Sequence, residues 1–587
     1  MNVLNQAHRE RLSKAAQASR KRMATARRNR RDMVAQYVGS RWSDHGADEA
    51  VVLNQLAIFV DTMSRFLAAK APRADFRTGV SSLRKAAVRA ELNANTLSKE
   101  QKLGSLMQRA VVEALISVHA IVKVGIASGN NVQIGDETKD IGKPFAKLVD
   151  LDDWLQDMFC NEWEEQQFRG DLFYPRLDVL AENKTFSRGV LAKLWKLGKD
   201  RDATMHGEGA RTDTLGHGDQ NVDEEFAERV PLWALELPHE RQVCLFAASP
   251  DGILLPDEKP LHVMDWEGPD DGQYQRLIFR DVPGSTLGLP PAAQLIDLHD
   301  ATNSILRRLI VSADQHKKVI VVDPKQKGTI EKIKTARTGD VVAGDASRIK
   351  EFETGGVNQL STMLVLWFKS LVNYSAGNMD EIGGQGSQAG TLGQERLLMA
   401  TASRAVQDMQ ERAEIFTSNV MRALVYWDWT DPVTDRKLTY ARPGDKGGVE
   451  IRITAQEREQ LDILNLNITI HPYSMQFSSP AQQLERLLGI WERAVVPIVP
   501  VIQQQGGTID LPLFLSTIGD YADLPELQDI VQMGESANAP PSMERPTQSP
   551  TTTRHSVRTS VAKPENQEAQ LLSKLMSSES SPQMAGE

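Results

Sequence analysis

One narrow apolar stripe constrains the fold of this 587-residue chain more than any other feature. Between residues 398 and 427, apolar side chains recur at intervals of three and four, the spacing of one face of a continuous α-helix. The helix that carries the stripe is expected to have roughly 34 residues and, at 1.5 Å per residue, to be about 50 Å long. Its apolar residues are Leu398, Ala402, Ala405, Met409, Ala413, Phe416, Val420, Leu424 and Trp427. We expect this helix to pack along another long helix or to line an assembly, and not to lie inside a compact enzyme core.

Composition narrows the class of protein. Only two cysteines, Cys160 and Cys244, are present, which excludes a disulfide framework or a cysteine-rich zinc site. No stretch approaches the roughly 20 apolar residues that span a bilayer. The first 31 residues contain ten Lys or Arg and no apolar core segment, so they do not resemble a secretory signal. The sequence predicts a soluble protein with no membrane contact.

Charge is unevenly distributed along the chain. The net charge of −10 argues against tight binding of nucleic acid over the whole surface. From Arg9 to Arg31, however, the only acidic residue is Glu10. This basic segment could be a nucleic-acid arm, a helix that docks on an acidic partner, or a solvated basic helix.

The first half of the chain predicts helices followed by strands. Helical spacing runs from residue 53 to 67, and a capping box at 98–101 opens a helix whose apolar stripe spans 103–115. A third helix, which carries Trp154, Met158 and Trp163, is expected from Asp153 to about Phe168. Strands are expected at 230–237, 242–247 and 275–281. The fold class is therefore α+β, mostly helical, with a small antiparallel sheet.

The second half has a distinctive order of elements. A helix at 292–313, opened by Pro290 and Pro291, precedes a strand at 318–323 and a glycine- and charge-rich stretch to residue 356. A second helix is expected at 357–375. A loop at 377–393, with six glycines, then leads into the long helix.

Motifs for catalysis are weak. No Walker phosphate loop is present, and the sequence around Gly384 and Gly386 follows a helix, whereas a dinucleotide fingerprint follows a strand. His206, Glu208, His217 and Asp219 lie in a polar glycine-rich loop without metal-site spacing. Asp297, His299 and Asp300 face different ways around one helical turn, which favours surface or subunit contacts. We therefore predict no enzyme activity, catalytic residue, metal or cofactor.

Several stretches resemble the portal (head-to-tail connector) proteins of tailed double-stranded-DNA bacteriophages. The resemblance covers roughly residues 30 to 530. It is carried by Asn373-Tyr-Ser-Ala-Gly-Asn378, residues 383–395, Val406-Gln-Asp-Met-Gln-Glu411 and His471-Pro-Tyr-Ser-Met475, and by the basic helix that ends near Tyr37-Val-Gly-Ser40. The similarity lies in the local sequence of these stretches and does not involve a catalytic or binding motif.

The resemblance implies a portal-like division into wing, stem, clip and crown. The expected regions are a basic N-terminal arm (1–45), a wing of helices then strands (46–289), stem helix 1 (290–314), a clip (315–356), stem helix 2 (357–376), a tunnel loop (377–393), a long wing helix with a β segment (394–478), crown helices (479–534) and a disordered tail (535–587).

It also implies a function. A portal is a ring, here expected to be a dodecamer, at one capsid vertex of the virion, assembled in the host cytoplasm. It is the conduit for genome packaging and ejection, so the expected partners are double-stranded DNA (transient and non-specific), the terminase large subunit, a tail or adaptor protein and the major capsid protein. The DNA-facing loop residues would be Gly383, Gly384, Gln385, Gly386, Ser387, Gln388, Gly390 and Thr391. The clip residues facing an adaptor would be Lys317, Lys318, Lys325, Lys327, Lys332 and Lys334.

Two alternatives remain open at this point. One is another oligomeric virion component, such as a scaffold or head-completion protein, which fits the basic arm and the tail but not the order of helix, small module and helix. The other is an enzyme such as a nuclease, with a site built from scattered acidic residues. A ring with a central hole would favour the portal, and a compact monomer would favour the enzyme.

Overall fold

The structure is a computed structural model. It describes residues 5–39, 53–68, 70–77, 84–127, 131–134, 137–140, 142–182, 186–199, 229–249, 259–322, 327–337, 349–354, 359–377, 392–431, 435–440, 449–459 and 467–470. All belong to the unit Met1–Pro525, and the second unit, Glu526–Glu587, lies outside the described residues. So do the predicted crown and tail. Over the described residues the fold is α+β, mostly helical with small antiparallel sheets, as the sequence predicts.

Helices make up the N-terminal part. The elements are α1 (Gln6–Arg22), α2 (Ala24–Val38), α3 (Gln55–Ala68), the short strand β1 (Ala74–Arg77), α4 (Arg84–Glu100) and α5 (Leu103–Ile116). The apolar stripes predicted for α3 and α5 are buried against each other, with Leu56, Met63 and Leu115 fully buried. The helical periodicity at 53–67 and 103–115 is confirmed.

The predicted capping box at 98–101 is wrong. Ser98 lies in the last turn of α4, and its hydroxyl donates to the carbonyl oxygen of Pro72 at 3.1 Å. The next helix begins at Leu103, after Lys102 in the left-handed conformation with φ 51°. The apolar stripe is compatible with either start, because periodicity does not specify where one helix ends and the next begins.

Two antiparallel sheets follow the helices. Their strands are β2 (Ala120–Ala127), β5 (Lys143–Val149), β6 (Trp154–Gln156), β7 (Arg169–Phe173), β8 (Leu232–Leu237), β9 (Gln242–Ala247), β10 (His262–Asp265) and β11 (Tyr274–Leu277), with a hairpin of β3 (Asn131–Ile134) and β4 (Glu137–Asp140) inserted after β2. One sheet has the order β11-β2-β5 and the other β10-β9-β8-β7-β6. Helices α6 (Leu177–Glu182) and α7 (Arg188–Lys199) pack on the larger sheet. All three predicted strands are therefore present, the last ending early.

The helix predicted from Asp153 to Phe168 is wrong. Residues Leu151–Asp153 form a 3₁₀ turn, β6 follows at once, and the chain then runs irregularly to β7. Trp154 stacks on Trp163 at 6.2 Å between ring centroids and meets the edge of Tyr274 at 4.9 Å. The aromatic residues that suggested a helical face are instead gathered between the sheets by tertiary packing.

Buried polar contacts join the two sheets. Asp171 on β7 accepts a hydrogen bond from the Lys123 ammonium at 2.6 Å and another from the Tyr274 hydroxyl at 2.5 Å. Burial and the Asp171 carboxylate raise the pKa of Tyr274 well above its usual value, so this hydroxyl remains a donor at neutral pH. Within the larger sheet, Arg169 and Glu236 pair on the neighbouring strands β7 and β8 at 3.1 Å. The sheets are therefore held in a fixed relative position.

A glycine on β7 of the larger sheet gives a first testable prediction. A Cβ at Gly170 would lie 2.3 Å from the carbonyl oxygen of Ala234 and 3.0 Å from the Cα of Leu235, both on backbone that cannot swing away. We expect Gly170→Ala to destabilise the fold by about 1–3 kcal/mol. The matched control is Gly125→Ala on β2, where the nearest atom is the Phe145 ring at 3.4 Å. Urea unfolding of both variants checks this, and equal midpoints would contradict it.

The next segment is a helical pair with a small module between its helices. After a 3₁₀ turn at Pro291–Leu295 come α8 (Ile296–Asp314), β12 (Lys317–Val322), α9 (Lys327–Thr335), β13 (Ile349–Thr354) and α10 (Gln359–Ser375). Strands β12 and β13 are antiparallel partners. The predicted helix–strand–helix order is confirmed, with the α-helix beginning four residues later than predicted because the proline-rich start is a 3₁₀ turn.

The long helix α11 (Leu392–Trp429) is present as predicted, but its surroundings are not. Met409, Ala413, Phe416, Val420 and Leu424 are buried in the main core. There α11 packs against the β11-β2-β5 sheet and against α3 and α4. From residue 406 onwards, the expectation of a stripe that lines an assembly or a second long helix is therefore wrong. The side chains of 392–405 lie outside the described residues.

Three further strands and a short helix close the described part of the chain. They are β14 (Arg436–Tyr440), β15 (Val449–Ile453), α12 (Ala455–Glu459) and β16 (Asn467–Ile470). Strand β16 pairs with β1, so the end of the described chain returns to the N-terminal helices.

Candidate assembly surface

Helix α8 is anchored at its N-terminal half. Ala292 and Leu295 are buried in the main core, and the Asn303 side chain makes two hydrogen bonds to the backbone of Leu53. Its Oδ1 accepts from the Leu53 N–H at 3.0 Å, and its Nδ2 donates to the Leu53 carbonyl at 3.2 Å. Beyond this point the helix leaves the core, and Ile310 and Val311 are about half exposed, at 48% and 51%.

His299 differs from its sequence prediction. Asp297 and Asp300 are exposed as expected, but His299 is buried beside Asn303, where its ring contacts the amide at 3.3 Å. Burial lowers the pKa of His299, so the ring is neutral at pH 7. The residue positions α8 on the core and is not a surface contact.

Helix α10 runs back alongside α8. The two helices are in contact, and the pairing of Lys317 with Thr354 places the end of α8 and the start of α10 at the same end of the pair. Near the other end of α10, Val372 and Ala376 are buried in the same core as Ala292 and Leu295. The helices are therefore antiparallel, with one end in the core and the β12–β13 module joined to the other.

One exposed face of α10 is largely apolar, although it also includes the exposed Ser370. Leu360, Met363, Leu366, Trp367 and Tyr374 are 56–75% exposed, although each has a large apolar side chain. Leu360, Trp367 and Tyr374 are seven residues apart, and Met363 lies one turn from Leu360, so these residues share one face of the helix. We call this set the α10 stripe.

The α10 stripe has the character of a protein interface. Monomeric proteins seldom expose large contiguous apolar patches, and those that do mark interaction sites. Tryptophan, tyrosine and methionine are also enriched where partners meet. What the stripe can do chemically is bury apolar area against another protein surface.

From the sequence alone, the two paired helices are expected to expose apolar surface, but which face of this helix is exposed is not specified. The sequence contains a pattern that indicates this exposure. Residues 363–368 read Met-Leu-Val-Leu-Trp-Phe, so the helix is apolar around most of its circumference. A helix of this kind requires burial on more than one side. A single neighbour such as α8 cannot provide that.

The predicted clip lysines fall on the module between the helices. Lys332 and Lys334 are exposed in the last turn of α9, and Lys327 is its first residue. Lys317 and Lys318 are in β12, opposite Thr354 and Glu353. Lys325 and all the predicted loop residues, Gly383, Gly384, Gln385, Gly386, Ser387, Gln388, Gly390 and Thr391, lie outside the described residues.

A cavity of about 300 Å³ is lined by residues of both sheets and by Trp427. The indole Nε1 of Trp427 and the Nε2 of Gln273 are buried there without a partner among the described residues. They can donate to the oxygen of a water or of a small ligand. The described lining includes no serine, threonine, cysteine or histidine, so it offers no nucleophile paired with a histidine base.

The described residues contain no cluster of three or more His, Cys, Asp or Glu side chains arranged to hold a metal ion. Among the described helices, none combines the length and the apolar character needed to cross a membrane. A comparison with known protein families and with characterised proteins finds no match to this chain.

Proposed function

We propose that this chain is a portal subunit, which forms a ring at one capsid vertex and conducts double-stranded DNA during packaging and ejection. The observation that carries the proposal is the antiparallel α8–α10 pair, which leaves the core with an exposed apolar stripe and ends in a small αβ module. The order of elements after it, a glycine-rich segment and then the 38-residue helix α11, supports the same assignment.

The α10 stripe supports a ring because it is one-sided. A stripe on one face of a subunit is covered when it meets a different face of the next copy, and such head-to-tail contacts form a ring where the rotation between copies closes. A closed ring would cover every stripe and leave none exposed. The module at the end of the pair, with Lys332 and Lys334 exposed, would then be available to an adaptor or tail protein, and the terminase would dock on the same ring.

Sedimentation velocity of the purified chain tests this proposal. At micromolar concentration we expect a closed species of about twelve copies of the 65.2 kDa subunit, with little intermediate material. A folded monomer at that concentration would overturn the proposal, as would an open series of oligomers that grows with concentration.

The segment 377–393 provides the functional prediction. With six glycines it is little restricted sterically, and we propose that twelve copies project towards the axis and contact DNA. Gln385, Ser387, Gln388 and Thr391 would offer weak, sequence-independent hydrogen bonds. We expect Gly386→Pro combined with Gly390→Pro to leave ring assembly intact and to reduce packaging or retention of DNA at least tenfold. Full-length genomes packaged and held as well as by the original ring would withdraw the DNA role of this loop.

A further inference from the structure

The first two helices form a nearly continuous rod with one buried face. Met23 joins them in the right-handed helical conformation, and its N–H and C=O both make helical hydrogen bonds of 3.0 Å, to Ser19 and Arg27. The buried residues of the rod are Ser13, Ala16, Ser19, Met23, Ala26, Arg27, Arg30 and Met33. Their spacing of three or four, broken only by the adjacent pair Ala26 and Arg27, places them on one side of the rod.

Buried arginines fix this rod to the protein body. The Arg27 guanidinium donates to the carbonyl oxygens of Leu151 at 3.2 Å and Trp154 at 2.8 Å. Arg30 forms a two-bond pair with Glu113 and also reaches Asp150 at 3.3 Å. Of the three sequence interpretations of the basic segment, docking on an acidic partner therefore accounts for this face, and the partner is the chain itself.

The opposite face carries a straight row of cations. Lys14, Lys21 and Arg28 are exposed and seven residues apart, so they drift by only about 40° around the helix. At 1.5 Å per residue, the row is about 21 Å long. None of the three makes an ion pair within the described part of the chain. We call this row the basic ridge.

Most of the acidic charge of the protein lies outside the segment that carries the basic ridge. From Arg11 to Arg31 there are nine Lys or Arg and no Asp or Glu, so the rest of the chain carries −19. The exposed residues between the ridge cations, Gln17, Ala24 and Thr25, are uncharged, and the nearest acidic residues on this face, Glu10 and Asp32, lie beyond the two ends of the ridge. An extended anion can therefore approach all three cations at once, while the remainder of the surface repels it.

We propose that the basic ridge binds the phosphate backbone of double-stranded DNA without regard to sequence. Phosphates follow one another every 3.4 Å of helix axis along one strand, so a 21 Å row spans about six of them. An acidic protein is the less favoured occupant, because the ridge carries none of the large apolar or aromatic anchors that protein interfaces use. The ridge belongs to each subunit, so this proposal does not depend on ring formation or on the glycine-rich loop.

Anisotropy of fluorescent 30-base-pair duplexes titrated with the full chain over a salt series tests the ridge. The variant is Lys14→Gln, Lys21→Gln and Arg28→Gln together. The control is Lys99→Gln, Arg109→Gln and Lys143→Gln, three cations that are equally exposed on other elements. Removing three phosphate contacts should make the negative slope of log K against log salt shallower by about 2.7. We expect at least a tenfold loss of affinity at low salt, equal for two unrelated duplex sequences, and no change in the control.

The results of these titrations distinguish DNA from an acidic protein as the partner of the basic ridge. Equal affinity and slope in the ridge variant and the original chain would overturn the proposal. So would binding of poly-L-glutamate through the ridge with no binding of DNA, which would assign the ridge to an acidic protein. Replacing the same three residues by Lys14→Arg, Lys21→Arg and Arg28→Lys should restore DNA binding, and circular dichroism of each variant verifies that the fold is kept.

Discussion

Replacing Met363 and Trp367 by glutamate is expected to convert the proposed ring into folded monomers. The two side chains are 62% and 56% exposed in the subunit, so the substitutions are expected to leave the isolated subunit folded. At a subunit interface each would bury an apolar side chain contributing about 1.5–3 kcal/mol, and each glutamate would add the cost of burying a charge. The loss therefore exceeds about 3 kcal/mol at every interface. Mass photometry at nanomolar to micromolar concentration measures it directly.

The matched control uses exposed apolar residues elsewhere. Ile58 on α3 and Val88 on α4 are 51% and 59% exposed, similar to the stripe, but they lie on elements that pack in the main core. Ile58→Glu with Val88→Glu should leave the copy number unchanged. If the stripe variant still forms the full ring, or if the control disrupts it equally, the α10 stripe is not the assembly surface.

Breaking the ion pair between Arg30 and Glu113 is expected to be the most damaging single change to the subunit. Their side chains are 7% and 11% exposed, and the pair joins the N-terminal rod to α5. Burial raises the pKa of Glu113, and the nearby Arg30 opposes this shift. Glu113→Leu leaves the Arg30 charge buried with only Asp150 as a partner. We expect a loss of about 3–5 kcal/mol in the free energy of unfolding.

Two controls distinguish this effect from a general loss of charge. Arg31→Met removes the exposed pair with Asp152 and should cost at most about 1 kcal/mol. The double variant Arg30→Met with Glu113→Leu removes both buried charges and should be more stable than Glu113→Leu alone. A Glu113→Leu variant as stable as Arg31→Met in guanidinium unfolding would show that the pair does not hold the rod in place.

Local periodicity predicted helices well, because a helix forms from contacts three and four residues apart. The stripes of α3, α5 and α11 were read directly from the sequence, as were strands β8 and β9. What failed depends on distant residues. Trp154 and Met158 suggested a helical face, but the packing of Trp154 against Tyr274, more than a hundred residues away, favours a strand. Ser98 similarly caps nothing, because its partner is the carbonyl of Pro72.

Exposure was the harder quantity to predict. The stripe of α11 is buried by a sheet whose strands come from three separate segments, which no window of sequence reveals. The α10 stripe, conversely, is exposed because α8 covers only one side of its helix. The basic segment contains both buried and exposed cations: Arg27 and Arg30 are buried, whereas Lys14 and Arg28 are exposed. The sequence thus predicted the helices that carry the candidate assembly surface, but not which of their residues are exposed.

Images of the purified chain by electron microscopy test the central claim most directly. If the chain is a portal subunit, we expect closed rings of about twelve subunits in end-on views, with a central hole wide enough for a DNA duplex. Side views should show the β12–β13 modules projecting together from one end of the ring. Compact particles of the size of one subunit, or rings whose α8–α10 pairs do not contact the neighbouring copies, would contradict it.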